Sequence, residues 1–217
     1  MQPANPGRHY RELVRQTYDR IAADYNLGRL DESETHSLAP LVERLLPGAR
    51  VLDLGCGAGV PITLALADRF DVTGVDFSSE QLALARKQVP QARFVEADMT
   101  SCEFREGCFD AVVSFFAIFH IPREEHSALF KRVRSWLKPG GYFLATLALE
   151  NEAGYTEDDY FGREMYWSNF GIEEYRRLLA EAGYELLDDW LLAVLPRSVV
   201  YSLEAGGRLP MLVCGRT

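Results

Sequence analysis

A short apolar run from Arg50 to Leu54 ends in three glycines set one residue apart, Gly55, Gly57 and Gly59, and a helical pattern resumes at Val60. Strand, glycine turn and helix in that order open a βα unit. Without side chains the glycines let the backbone turn tightly and let a ligand approach it, and the helix start behind them offers amide donors. The alternation continues downstream. Val72–Val75 reads as strand, and Ser78 with Gln81 forms a capping box for the next helix. Arg93–Glu96 and Asp110–Ser114 read as strands. Pro122 suits a first helical turn, with Glu124 and Glu125 at that end and Lys131, Arg132 and Arg134 at the other, each favourable to the helix dipole. Pro139-Gly140-Gly141 reads as a turn before a strand at Tyr142–Leu147. Strands alternating with helices predict an α/β, doubly wound fold: a mostly parallel sheet, taken as seven-stranded, with helices on both faces and ligands at the strands' carboxyl ends.

On either side of this core the pattern changes. Tyr10, Val14, Tyr18, Ile21 and Tyr25 mark one face of an amphipathic helix. Glu34–Leu46 reads as a second helix burying Leu38, Leu41, Val42 and Leu45, stopped by Pro47-Gly48. The acidic, aromatic segment 150–170 interrupts the alternation like a lid, expected to cover the site from the side opposite the first helix. Ile172–Ala182 is helix again, closed by Gly183, and strand character returns at Tyr184–Leu195 and Pro210–Cys214, with pairing left open. With 217 residues, one domain over 1–217 is expected, residues 1–46 closing over the site. The net charge of −9 disfavours nucleic acid as partner. No segment has the length and apolarity of a membrane span or a signal peptide, and Cys56, Cys102, Cys108 and Cys214 contain no Cys-x-x-Cys pair. A cytoplasmic location is therefore expected, and no metal site is assigned.

Gly-x-Gly alone also fits a dinucleotide turn. That pattern needs its third glycine at position 60, which is Val60. Asp53, just before the loop, suits a cationic ligand or a brace for the loop amides, and sits badly beside a pyrophosphate.

Residues 51–59 resemble the first motif of the class I S-adenosylmethionine-dependent methyltransferases, and the likeness runs in order from about residue 15 to 149. Val72–Ser78 resembles the second-strand motif, which implies Asp76 as acceptor for both ribose hydroxyls. Glu96-Ala97-Asp98-Met99 resembles the third, which implies Asp98 at the adenine amino group with Phe77 and Met99 flanking the purine. Phe109–Ser114 and Leu137–Tyr142 are similar to the fourth-strand motif and the turn before strand five. The resemblance implies S-adenosylmethionine as cofactor, S-adenosylhomocysteine as product, and a cofactor set of Tyr18, Asp53, Gly55, Cys56, Gly57, Gly59, Asp76, Phe77, Gln81, Asp98, Met99, Ser114 and Phe115.

In such a fold the loop from Phe115 to Pro122 faces the transferring methyl group. Phe116 and His120 are candidates for the acceptor side, and His120, with a histidine's ordinary pKa, is the candidate base. A capping or structural histidine is the other reading. Tyr166 and Trp167 are candidate acceptor contacts, or ordinary lid packing; Tyr18 either closes over the cofactor or is a core tyrosine. Ser114-Phe115-Phe116-Ala117 lacks the Asn/Asp-Pro-Pro-aromatic tetrapeptide of base N-methylating relatives. A small-molecule acceptor is expected, with a protein or RNA methyltransferase and a non-catalytic cofactor-binding regulator as alternatives. Acceptor atom and oligomeric state are not legible.

Overall fold

The computed structural model describes residues 6–27, 32–190 and 211–216. A central sheet runs β3 (Arg93–Glu96), β2 (Asp71–Asp76), β1 (Arg50–Leu54), β4 (Phe109–Ser114), β5 (Leu137–Thr146), β9 (Met211–Arg216), β8 (Tyr184–Trp190). The first five are parallel, while β9 pairs antiparallel with both β5 and β8. Order reverses at β1, which lies between β2 and β4.

The period-2 alternation of strand side chains divides the core in two. Leu52, Leu54, Val112, Phe143 and Ala145 face α5 (His126–Trp136) and α6 (Ile172–Glu181), meeting Phe130, Val133, Trp136, Tyr175 and Leu179. Their neighbours Val51, Val72, Ala111, Val113 and Leu144 face the other way, onto Leu38, Leu41 and Leu45 and onto Ile62 and Leu66 of α3 (Ile62–Ala67). Helices therefore cover both faces, as the alternation of elements required.

Several boundaries differ from expectation. Instead of one helix over 34–46, a 3-10 segment Glu32–Leu38 runs into a single α turn, α2 (Ala39–Val42). Pro40, at the start of that turn, has no amide to continue an α register from before it. Helix α3 starts two residues late, after Pro61. Pro122 opens a 3-10 turn (Arg123–Glu125), and the α-helix begins only at His126. Pro139-Gly140-Gly141 is absorbed as an irregularity inside β5: pairing jumps from Phe109↔Leu137 to Ala111↔Tyr142. Strand character at the tail is realised in β8 and β9; 191–210 lie outside the described residues.

The expected lid is a β-hairpin, β6 (Glu152–Tyr160) and β7 (Arg163–Asn169). Its two-residue turn, Phe161-Gly162, takes φ of 52° and 70°, the doubly positive pattern that matches strand twist. It does not lie opposite the first helix, α1 (Pro6–Leu27), but packs on it. Val14 and Ile21 share a third apolar cluster with Tyr160, Met165 and Tyr166, and Tyr10 stacks on Tyr166 with centroids 4.0 Å apart. Thr17 Oγ1 donates to the Glu164 carbonyl at 2.8 Å. Two strands cannot bury an apolar face alone; α1 supplies the missing layer.

Candidate functional site

A pocket lies at the carboxyl ends of β1 and β4, where the strand order reverses, and α1 roofs it. Its floor is the glycine turn. Gly55 (φ +75°) and Gly57 (φ +53°) need the left-handed region, and the amides of Gly55 and Cys56 both donate to the Val75 carbonyl, at 2.8 and 3.0 Å. A Cβ on Gly55 would stand 2.3 Å from the Cβ of Ala117 and 3.1 Å from Met99 Cε. Two pocket walls thus close on that one glycine. Gly55→Ala is expected to cost about 2–4 kcal/mol, from backbone strain plus the overlap. Urea unfolding measures it; a loss below about 1 kcal/mol would show that the 115–117 loop yields freely.

Asp76 ends β2. Its Oδ2 accepts from Gly57 N and its Oδ1 from Ser78 N, both at 2.9 Å. Burial pushes its carboxyl up to about 6, opposed by those amides and assisted by nearby Asp19. Ser78 caps the helix α4 (Ser79–Gln88), accepting from Gln81 N at 3.1 Å, and donates to Asp19 Oδ1 of α1 at 2.7 Å. The Gln81 side chain is 1% exposed, lines the pocket, and neither amide atom has a hydrogen-bond partner among the described residues. Buried polar groups are rarely left so. The wall is built to meet something polar. Phe77, Met99, Cys56 and Phe115 also line the pocket. Burial and the carboxylates of Asp76 and Asp53 push the Cys56 thiol well up, so it stays protonated.

Asp98, after β3, lines the pocket with one oxygen already satisfied: Oδ1 accepts from the amide and the hydroxyl of Thr100, both at 2.7 Å. Arg11 of α1, a residue the sequence reading missed, sits against the other. Its Nε lies 3.1 Å from Asp98 Oδ2, an ion pair without hydrogen-bond direction, while Nη2 reaches Thr100 Oγ1 at 3.2 Å and the Glu125 carboxylate. The available signal was its helical spacing from Tyr18 on one face. Asn26 was also missed. It exchanges hydrogen bonds with Gln88, which in turn donates to the Ala58 carbonyl at 2.8 Å, so α1 is tied to the glycine turn.

At the other end, His120 Nδ1 lies 2.9 Å from the Tyr166 carbonyl, which can only accept, so Nδ1 carries the proton. Burial pushes the imidazole down to about 4. The ring is neutral at pH 7 and its Nε2 lone pair accepts from the Tyr18 hydroxyl at 2.8 Å. Tyr160 Oη, 3.4 Å away, donates to Tyr18 Oη in turn. The expectation of a histidine with an ordinary pKa therefore fails: His120, only 6% exposed, has lost the water that would stabilise its cation. Tyr18, His120 and Phe116 all line the pocket, and Phe116 holds a φ of 56°, unusual for a bulky residue.

Five of the residues assigned from sequence stand outside the pocket lining. Asp53, 2% exposed, accepts from Thr63 Oγ1 of α3 at 2.6 Å and braces the turn from behind, on the opposite face of β1 from Leu52 and Leu54. Gly59 (φ +79°) is pressed against α4: a Cβ there would stand 3.0 Å from Val89. Ser114 Oγ donates to the Leu54 carbonyl at 2.9 Å, pinning β4 to β1. Tyr166 reaches the site only through its backbone carbonyl, since its ring stacks on Tyr10. Trp167 lies behind His120, centroids 4.5 Å apart.

Residues 51–141 match a family described as methyltransferase domain. Phosphoethanolamine N-methyltransferase 3 of Arabidopsis thaliana is 32% identical over 148 residues, 65% of this chain and 30% of that protein. Trans-aconitate 2-methyltransferase of Variovorax paradoxus is 37% identical over 118 residues, 52% of this chain and 44% of that one. The chain thus spans about a third to a half of the length of these curated relatives. Among solved structures, the 1,6-didemethyltoxoflavin-N1-methyltransferase of Burkholderia thailandensis, crystallised with its substrate and S-adenosylhomocysteine, superposes with a TM-score of 0.72 at 22% identity, covering 100% of this chain and 93% of that one. At that identity the likeness is one of fold.

Proposed function

We propose that this chain is a class I S-adenosylmethionine-dependent methyltransferase that methylates a small-molecule acceptor held beneath α1. One observation carries the reading: a single pocket joins the glycine turn and Asp76 at one end to the Tyr18–His120 pair at the other. The residues present fit the cofactor. The Gly55 surface admits no side chain, Asp76 keeps lone pairs for two hydroxyls, and the Gln81 amide awaits a partner. Bound there, S-adenosylmethionine supplies a methyl group on a sulfonium, already a good leaving arrangement.

The chain's own residues then have three tasks. Asp76 and Gln81 hold the ribose end, and Asp98 with Arg11 holds the purine end. Phe116 and α1 exclude water and align the acceptor, which is where proximity lowers the barrier. Tyr18 accepts a hydrogen bond from the acceptor's X–H while its own proton bonds His120 Nε2. A base titrating near 4 cannot ionise a resting alcohol. It suffices once the acceptor oxygen gains its new bond and becomes strongly acidic, so the proton passes through Tyr18 to His120 late in the transfer, and the Tyr166 carbonyl steadies the resulting imidazolium. An amine acceptor needs from the pair only orientation. The names of the relatives, acting on an amino alcohol phosphate and a carboxylic acid, support a small acceptor.

The test is calorimetry with S-adenosylhomocysteine and NADH, followed by incubation with methyl-labelled cofactor and a metabolite extract. Micromolar S-adenosylhomocysteine binding, on the order of −8 kcal/mol, and label in a small product are expected. Tighter NADH binding, or label only in protein or RNA, overturns the reading.

A further inference from the structure

Helix α1 carries polar groups that reach both ends of the pocket. Arg11 and Tyr18 lie about two helical turns apart and both line the cavity. At one end the Arg11 guanidinium is wedged between Asp98, after β3, and Glu125, before α5, and also meets Thr100 Oγ1 at 3.2 Å. Without this cation two carboxylates from different elements would face each other across the gap. At the other end Tyr18 donates to His120 Nε2 at 2.8 Å, a bond that tolerates little sliding of the helix.

Beyond Arg11 and Tyr18, α1 meets the body below through Asp19 with Ser78, Asn26 with Gln88, and the apolar packing of Phe77. The apolar face of α1 binds mainly the hairpin, through Val14 and Ile21 against Tyr160, Met165 and Tyr166. The Thr17 hydroxyl adds a hydrogen bond to the Glu164 carbonyl, so α1 is fixed to the hairpin rather than to the sheet by this face. Setting α1 along its axis relative to the sheet therefore falls to directional and charged contacts, and Arg11 has the most of them: two carboxylates and a hydroxyl, on two elements of the sheet body.

We propose that Arg11 is a positioning residue: by pinning α1 to Asp98 and Glu125 at the purine end, it sets the Tyr18–His120 hydrogen bond at the acceptor end. The proposal deepens the methyltransferase reading, since it links the state of the cofactor side to alignment on the acceptor side. The linkage itself is a property of the ligand-free chain. Arg11 stands at the purine end beside Asp98 and reaches the acceptor end through Tyr18.

The experiment reads His120 directly. The 15N resonance of an unprotonated imidazole nitrogen shifts when its lone pair accepts a hydrogen bond, so Nε2 reports on the Tyr18 contact without any substrate. In ligand-free Arg11→Met the signal is expected to move to the position seen in Tyr18→Phe, and Arg11→Lys, which keeps the charge, should restore part of the shift. Glu125→Gln, which leaves Asp98 in place, should move the signal the same way by a smaller amount and guards against failure of Arg11→Met to fold. Affinity for S-adenosylhomocysteine should fall about tenfold in Arg11→Met, the scale of a lost contact to a charged group. A His120 signal unchanged in both Arg11→Met and Glu125→Gln overturns the proposal. Failure of the wild type to bind S-adenosylhomocysteine would instead sink the methyltransferase reading, and the resonance would still answer for Arg11.

Discussion

Asp76→Ala is expected to weaken S-adenosylhomocysteine binding by ten- to a hundredfold or more, with the protein still folded. The carboxylate accepts from Gly57 N and Ser78 N and keeps lone pairs for both ribose hydroxyls. Losing hydrogen bonds to a charged group costs about 1.5–3 kcal/mol, which corresponds to that range. The pH dependence adds a second signature. Burial raises this carboxyl to about 6, above its ordinary value of 3.8, so the free protein holds a proton there at mildly acid pH. The ligand needs the ionised form. Affinity should be level above pH 7 and fall toward tenfold per pH unit below 6, a slope absent from the variant. For stability the sign is the reverse of a salt-bridged aspartate. The favourable contribution is full below the ordinary value and is lost as pH rises through about 6. At neutral pH the free protein therefore holds an ionised aspartate at a stability cost, which ligand binding offsets. Calorimetry from pH 5 to 8 settles it: wild-type-like affinity in Asp76→Ala would place the ribose elsewhere.

His120→Gln and Tyr18→Phe should each lower turnover by about 10²–10⁴-fold with an acceptor that must lose a proton, with cofactor affinity nearly intact in His120→Gln. Because the two act as one unit, the double variant should be little worse than either single one. With cofactor kept saturating, the wild-type rate should show no inflection near 6.5, because His120 titrates near 4. A rate step at 6.5, or additive losses, would separate the two residues. Stability gives an independent reading. His120 and His126 both fall from 6.5 to about 4 by burial, so their contribution is full above the ordinary value and is lost as pH drops from 6.5 toward 4. Two such groups outweigh the single opposing aspartate, and the melting temperature should decline across that window. In His120→Gln the decline should be shallower, leaving the part due to His126, which is held between the Ile121 carbonyl and the Tyr175 hydroxyl.

The parts of the site legible in the sequence are those fixed within one βα unit. Gly55, Gly57, Asp76, Gln81 and Asp98 follow their strands at set distances, and local geometry delivers them to the pocket whatever lies elsewhere. Asp53 shows the limit of that logic. It neighbours Leu54 in sequence, yet strand alternation turns it to α3, where it accepts from Thr63; of the two readings, ligand partner or brace of the loop, its position outside the pocket lining sits closer to the second. Ser114 likewise stands outside the pocket lining, its hydroxyl donating to the Leu54 carbonyl. The roof was illegible for another reason. Periodicity gave α1 its apolar face but not its partner, and the segment 150–170 announced itself only as aromatic and acidic. That the two pack on each other is a tertiary fact, and so are the Tyr18–His120 bond and the place of Arg11. Tyr166 and Trp167, read as acceptor contacts or lid packing, stand behind His120 outside the pocket lining.

The pairing of α1 with the hairpin also dictates a timetable. Thr17 meets Glu164 across 147 residues of chain, and Tyr18 meets Tyr160 across 142. The βα units of the sheet find their partners among near neighbours, whereas this closure waits for the hairpin. At a synthesis rate of roughly 5–20 residues per second, α1 emerges on the order of ten seconds before its partner strands exist. Through that interval the face of α1 that packs on Tyr160, Met165 and Tyr166 has no partner strands to cover it. The five parallel strands can be paired while the pocket still has no roof. Closure of the pocket thus waits for the hairpin, and a nascent chain that ends before it has a glycine turn and Asp76 but an open roof.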